Sequence, residues 1–160
     1  MTIFRFPFRL WLGKKFWSRD DGAVLAEALL AVPFLTLFAA GILEFGNVFW
    51  ERMQIDAGLR DAGRYLARCR PASPTFTPTC SETTAKLIAY YGTQTPAAGA
   101  KLRVPGWGPN LAHITVNPVA ADGTFTVETA HAYNASPLFG WLGIGAITIS
   151  VSHEERYMGW

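Results

Sequence analysis

One segment limits what this chain can be more than any other. Residues 23–43 read AVLAEALLAVPFLTLFAAGIL, with Glu27 as the single charge and eleven positions held by Leu, Ile, Val or Phe. As a helix rising about 1.5 Å per residue the segment is about 31 Å long, and the hydrocarbon core of a bilayer is about 30 Å thick. At about 0.3–0.6 kcal/mol each, the eleven apolar residues favour insertion by roughly 3–7 kcal/mol. A mid-membrane carboxylate costs about 2.5–3.5 kcal/mol. Glu27 stands only one turn from the start of the segment, where the cost is smaller. Insertion wins, and a transmembrane helix over residues 23–43 is predicted.

The flanks set its direction. Arg5, Arg9, Lys14, Lys15 and Arg19, against Asp20 and Asp21, leave the first 22 residues at +3. Positive charge is retained in the cytoplasm. Residues 1–22 therefore read as a basic cytoplasmic leader, and residues 44–160 as an extracytoplasmic domain. From Glu44 onward nine basic residues balance nine acidic ones, so the concentrated basic face of a nucleic-acid binder is missing. A cleaved secretory signal is the competing reading of a basic start before an apolar run. The run exceeds the apolar length usual for such signals, and its best small-residue site, Phe38-Ala39-Ala40, begins on a bulky residue. Pro33 removes one backbone hydrogen bond and favours a kink. That is either an ordinary bend, of the kind membrane helices tolerate, or one used when helices pack in an assembly.

The helical pattern continues past the span. Phe45, Val48, Phe49, Ile55, Leu59, Ala62 and Leu66 recur mostly at spacings of three and four, which marks one apolar face. Arg52, Asp56, Arg60, Arg64 and Arg68 form a charged ladder on another flank, with Asp56 and Arg60 in the favourable acid-before-base order. Such a ladder is either a solvated surface or a stripe that meets a partner. The helix should end near Cys69, because Pro71, Pro74 and Pro78 follow.

Cys69 and Cys80 are the two cysteines of the chain. Outside the cytoplasm such a pair points to a disulfide, worth very roughly 2–3 kcal/mol for a loop of this size. Two sulfurs with no CxxC spacing and no close histidine make a poor zinc site. Thr79-Cys80-Ser81-Glu82 fits a capping box with Thr79 as N-cap, opening a short helix from about Cys80 to Tyr91 that stops at Gly92. Residues 93–109, rich in Gly and Pro, read as loop.

The last third changes period. Residues 113–116, 124–130 and 146–152 read as strands, the second behind an Asp122-Gly123 turn and the third placing Ile147, Ile149 and Val151 on one face. Three antiparallel strands on the first helix give an α+β fold. Between the second and third strands, residues 136–145 carry Pro137, Leu138, Phe139, Trp141 and Leu142. This loop is more apolar than solvation requires. It either folds onto the core or meets a partner or the membrane surface.

Several of these stretches together resemble the N-terminal region of TadE-like proteins, which are pseudopilins or minor pilins of tight-adherence (Flp-type) pilus systems. They are Asp21-Gly22-Ala23-Val24-Leu25-Ala26-Glu27 with Pro33 six residues on, then Gly41-Ile42-Leu43-Glu44-Phe45-Gly46, and the helix with Ala62, Gly63, Arg64 and Tyr65. The resemblance covers about residues 18–68. It implies that a prepilin peptidase cuts after Gly22, so that Ala23 becomes the new N-terminus and Glu27 its fifth residue. There Glu27 would pair with the α-amine of a neighbouring subunit and, with Pro33, shape helix packing; the plainer reading is a Glu that snorkels to water. The sequence departs from the family at Ala28, where many members carry an aromatic residue, and at Asp20 and Asp21, where basic residues are usual.

No catalytic motif is present. His113, His131 and His153 fall in or beside predicted strands, and no HExxH, GxSxG, GxxxxGK[ST] or CxxC occurs. The expected function is non-enzymatic: a pseudopilin-like subunit anchored in the bacterial inner membrane, its C-terminal domain periplasmic. No cofactor, metal, nucleic acid or small-molecule substrate is expected. The expected partners are pilin-like subunits, the pilus assembly machinery, and the prepilin peptidase if the chain is processed. The alternative is a single-pass anchor carrying an extracytoplasmic binding module.

Overall fold

The computed structural model describes residues 20–70, 73–134 and 137–159. The predicted leader charges from Arg5 to Arg19 lie outside them. The chain divides into two units, Met1–Ile42 and Leu43–Trp160. Helix α1, Asp20–Ala67, contributes residues to both.

In the first unit the described residues are all helical. Helix α1 runs without a break through Pro33, which has no N–H for the carbonyl of Leu29. Three residues on, the Thr36 hydroxyl donates to the carbonyl oxygens of Val32 at 2.7 Å and Pro33 at 2.9 Å. The one hydroxyl of the span is thereby satisfied inside its own helix, as a segment without water requires. Among the described residues of this unit the large apolar side chains are all exposed, from Leu37 at 39% to Phe34 at 73%.

The second unit is an α+β domain. After α1 come α2 (Glu82–Tyr91), a 3-10 turn (Leu111–His113), β1 (Ile114–Val116), β2 (Thr124–Ala132), the short helix α3 (Pro137–Trp141) and β3 (Thr148–Arg156). The sheet is antiparallel in the order β1-β2-β3. Ile114 pairs with Thr129, and Thr124 with Arg156 through to Ala132 with Thr148. Along β2, Phe125, Val127, Thr129 and His131 point inward at every second position. Ile55, Leu59 and Ala62 of α1 meet this face together with Ile149 of β3 and Ala85, Ala89 and Tyr90 of α2.

Several expectations need adjusting. On α1, Ile55, Leu59 and Ala62 are buried and Val48 and Leu66 pack at the core margin, but Phe45 and Phe49 remain 55% and 62% exposed. The apolar face rotates off the sheet below Val48. The N-cap of α2 is Ser81, not Thr79: Ser81 Oγ accepts the Thr84 backbone N–H at 3.1 Å. Ser81 has the extended backbone of a cap, φ −141° and ψ 154°, and Glu82 is the first helical residue, so the Ser81 hydroxyl is the one in reach of an unpaired N–H. The stop at Gly92 stands, with φ of 73° and its N–H on the Ile88 carbonyl. His113 belongs to the 3-10 turn before β1, while β2 and β3 extend to Ala132 and Arg156. The Gly/Pro-rich stretch 93–109 has no helix or strand, yet it delivers two fully buried residues, Val104 and Trp107.

Glycine lets these layers meet. A Cβ at Gly58 would stand 2.6 Å from the Ala89 carbonyl oxygen and 3.0 Å from Trp107. At Gly63 it would stand 2.9 Å from the Glu155 side chain. Helix α1 therefore approaches α2 at one glycine and β3 at the other.

Candidate functional site

The residues singled out from sequence fall on α1 and on the loop behind it. Gly22 and Ala23 lie in the first turn of α1. Glu27 is exposed two turns from the helix start, amid side chains that are likewise uncovered. An 18-residue apolar window of this helix has mean hydropathy 2.1, and none of it is buried by the rest of the chain. Exposing that much apolar surface to water is unfavourable by about 25 cal/mol per Å². The helix is therefore a candidate membrane span by length and composition, with Glu27 and Pro33 inside it.

Cys69 and Cys80 form the disulfide, with Cα atoms 6.0 Å apart. It joins the end of α1 to the approach to α2. The Tyr157 hydroxyl donates to the Cys69 carbonyl, and the Met158 N–H donates to the Ala67 carbonyl at 2.9 Å. The segment after β3 thus satisfies the last carbonyl of α1 and that of Cys69 just beyond it. Beside the disulfide is an open groove lined by Asp61, Arg64, Tyr65, Arg68, Arg70 and Phe76, with the Arg70 guanidinium 4.5 Å over the Phe76 ring. The charged ladder is surface: Arg60 and Asp56 pair at 2.7 Å with 46% and 38% of their side chains exposed.

A polar seam runs between α1 and β2 that sequence reading did not isolate. Glu44, one of the outer charges and part of the Gly41–Gly46 stretch, is 6% exposed and accepts the Tyr133 hydroxyl at 3.1 Å. Burial, then the neighbouring Glu44, pushes the Tyr133 hydroxyl up to about 12. Two turns further along α1, Glu51 Oε2 stands 3.4 Å from His131 Nε2, with side chains 13% and 5% exposed. Neither atom has a hydrogen-bond partner among the described residues, so the two are close without being aligned. Burial raises the Glu51 carboxyl and, with a smaller push from His113, lowers the His131 imidazole. Both groups are driven toward their neutral forms. Further in, Trp107 Nε1 donates to Thr129 Oγ1 at 3.2 Å, and that hydroxyl donates to the His113 carbonyl at 2.7 Å. The available signals were the position of Glu44 inside the Gly41–Gly46 motif and the inward phase of His131 on β2. Neither reveals burial without the fold.

The three histidines do not form one group. His131 faces Glu51, while His153 Nε2 contacts Glu155 at 3.1 Å. Among the described residues no cluster of three or more His, Cys, Asp or Glu is arranged to hold a metal ion.

Comparison with known proteins locates the similarity on the same helix. Residues 22–64 match the family model described as TadE-like protein. No curated protein and no solved structure matches the chain. The matched stretch takes in Gly22, Glu27, Pro33, Glu44, Gly58 and Gly63, and ends just short of the disulfide. Residues 22–64, about a quarter of the chain, are thus similar to TadE-like proteins.

Proposed function

We propose that this chain is a non-enzymatic, membrane-anchored pseudopilin-like subunit that takes part in assembling a tight-adherence (Flp-type) pilus or a related secretion apparatus. Residues 1–22 stay in the cytoplasm, residues 23–43 span the bacterial inner membrane, and residues 44–160 form the periplasmic domain. The observation that carries the reading is where exposed apolar side chains stop on α1. Phe49, Trp50 and Met53 are 62%, 52% and 69% exposed, yet they lie six to ten residues beyond Leu43. At about 1.5 Å per residue that is roughly 9–15 Å past the end of the span. The interfacial layer accounts for only about 5–8 Å on each side of the hydrocarbon, so lipid does not cover these residues. A second helix would. The family match supports the same conclusion, because it runs through the span and over this uncovered stretch.

In this reading Glu27 selects register: a carboxylate in an apolar segment is stabilised by a cation from a neighbouring subunit, such as the α-amine left by cleavage after Gly22. Glu27→Leu separates an assembly subunit from a plain anchor. It should insert at least as well as the parent chain and lose pilus formation and co-purification with pilin-like subunits. Retention of both would reject the assembly role. A mature N-terminus at Ala23, read by mass spectrometry on membrane-purified protein, supports processing; detection of Met1 rejects it. The arginine-lined groove beside the disulfide favours a second reading, an anchored module that binds an anionic ligand, and that module would tolerate Glu27→Leu.

A further inference from the structure

The loop between β2 and β3 is held at one end of the second unit and divides its apolar residues into two sets. Its base is closed by the Tyr133 N–H on the Ile147 carbonyl at 2.8 Å, and its turn by the Ile144 N–H on the Phe139 carbonyl at 3.0 Å. Phe139 is buried, 2% exposed, and meets the Phe45 ring edge-on with centroids 5.9 Å apart. Trp141, Leu142 and Ile144 turn away and are 77%, 42% and 42% exposed. The core explains Phe139 and leaves the other three without cover.

Their level on α1 identifies what covers them. Phe45, which Phe139 touches, is two residues beyond Leu43, or about 3 Å along the helix. That falls within the interfacial layer, about 5–8 Å deep on each side of the hydrocarbon. Trp is enriched in this layer, because its ring is apolar and its N–H polar. The chain is also free of Asp, Glu, Lys and Arg from Thr129 through His153, so no such side chain in the loop would have to be desolvated. We infer that Trp141, Leu142 and Ile144 sit in the outer headgroup layer of the bilayer and form a second, interfacial membrane contact for the domain. The inference rests on the anchored reading of residues 23–43. A protein partner at this loop is the competing occupant, and the test separates the two.

The experiment uses the full chain in phosphatidylcholine vesicles, with its disulfide intact. An environment-sensitive fluorophore is attached in turn to Trp141→Cys, Leu142→Cys, Val32→Cys and Ala121→Cys. Val32 reports the span. Ala121, exposed beside the β1–β2 turn at the opposite end of the sheet, reports solvent. Lipids carry a nitroxide either at the headgroup or near the chain end. The expected result is loss of most fluorescence at Trp141→Cys and Leu142→Cys with the headgroup nitroxide, at Val32→Cys with the chain-end nitroxide, and at Ala121→Cys with neither. Quenching at Val32→Cys with the loop sites as unresponsive as Ala121→Cys overturns the inference and leaves the span standing. So does a loop signal that is blue-shifted but blind to both nitroxides, which marks a protein partner. If Val32→Cys is unquenched, the anchored reading fails and the inference falls with it.

Discussion

The two halves of α1 are the same secondary structure made for different surroundings. Residues 22–42 present apolar side chains all round, and none of them is buried by the chain. Residues 43–67 bury one face in Ile55, Leu59 and Ala62, and leave Arg52, Arg60 and Arg64 exposed on another. A helix that is apolar all round belongs in lipid or inside an assembly, while a one-sided helix belongs on a sheet. Helix propensity does not distinguish the halves; the distribution of apolar residues around the axis does. Substitutions confined to one half should therefore leave the other half's behaviour intact.

The largest effect is expected in the domain. Trp107 is fully buried, against Tyr90 in edge-on geometry with centroids 5.0 Å apart. Trp107→Ala should cost about 3–5 kcal/mol, measured by denaturant unfolding of the detergent-solubilised chain, while membrane fractionation stays unchanged. Leu35→Arg is the reciprocal change, with an insertion penalty of about 2.5–3.5 kcal/mol. It should move the chain out of the membrane fraction without shifting the domain's unfolding midpoint. Reducing the Cys69–Cys80 disulfide should lower domain stability by about 2–3 kcal/mol. Gly58→Ala places a methyl against the Ala89 carbonyl and Trp107, and overpacking of this kind costs about 1–3 kcal/mol. A variant that coupled the halves, with Leu35→Arg lowering the domain midpoint for instance, would break the comparison.

A smaller, pH-dependent effect should arise at the seam. Burial holds His131 below the ordinary histidine value of 6.5. As pH falls from 6.5 the unfolded chain takes up that proton first, so stability is lost until the folded value is reached. Glu51 is shifted the other way, above 4.5; its contribution falls as pH rises from 4.5 through the folded value. In thermal melts between pH 7.5 and 5.5, His131 should contribute a midpoint that falls with pH, and His131→Gln should remove that component. An unchanged slope in the variant would place its cause elsewhere.

Much of this architecture was legible in the residues because it rests on local pattern. The apolar run, the three-and-four spacing that brings Ile55, Leu59 and Ala62 onto one face, the stop at Gly92 and the alternation of Ile147, Ile149 and Val151 each declare an element without reference to the rest. Whatever depended on contacts between distant segments did not show. Trp107 reads as loop because residues 93–109 have no period, yet it is buried against Gly58 and Thr129. Glu44 and His131 are polar residues in plausible surface positions until Tyr133 and Glu51 are brought to them across the fold. Thr79 and Ser81 are both cap-forming residue types, and only the backbone path, extended at Ser81 and helical from Glu82, decides between them. The residues that bear on function divide the same way. Glu27 and Pro33 stand out in a linear apolar segment, whereas the uncovered patch at Phe49, Trp50 and Met53 appears only once the sheet is seen to leave it bare.

The most direct test is a scan of thiol reactivity along α1 in native membranes. Both cysteines of the chain are in the disulfide, so single introduced cysteines report alone. A water-soluble maleimide should fail to label positions from Leu25 to Leu43 whether or not the domain is folded. It should label exposed Arg60 at once, and Ile55 and Leu59 only after the domain is unfolded. Labelling that is uniform from Leu25 to Leu59 in the native state, or that appears in the first half when the domain unfolds, would contradict one helix serving two surroundings.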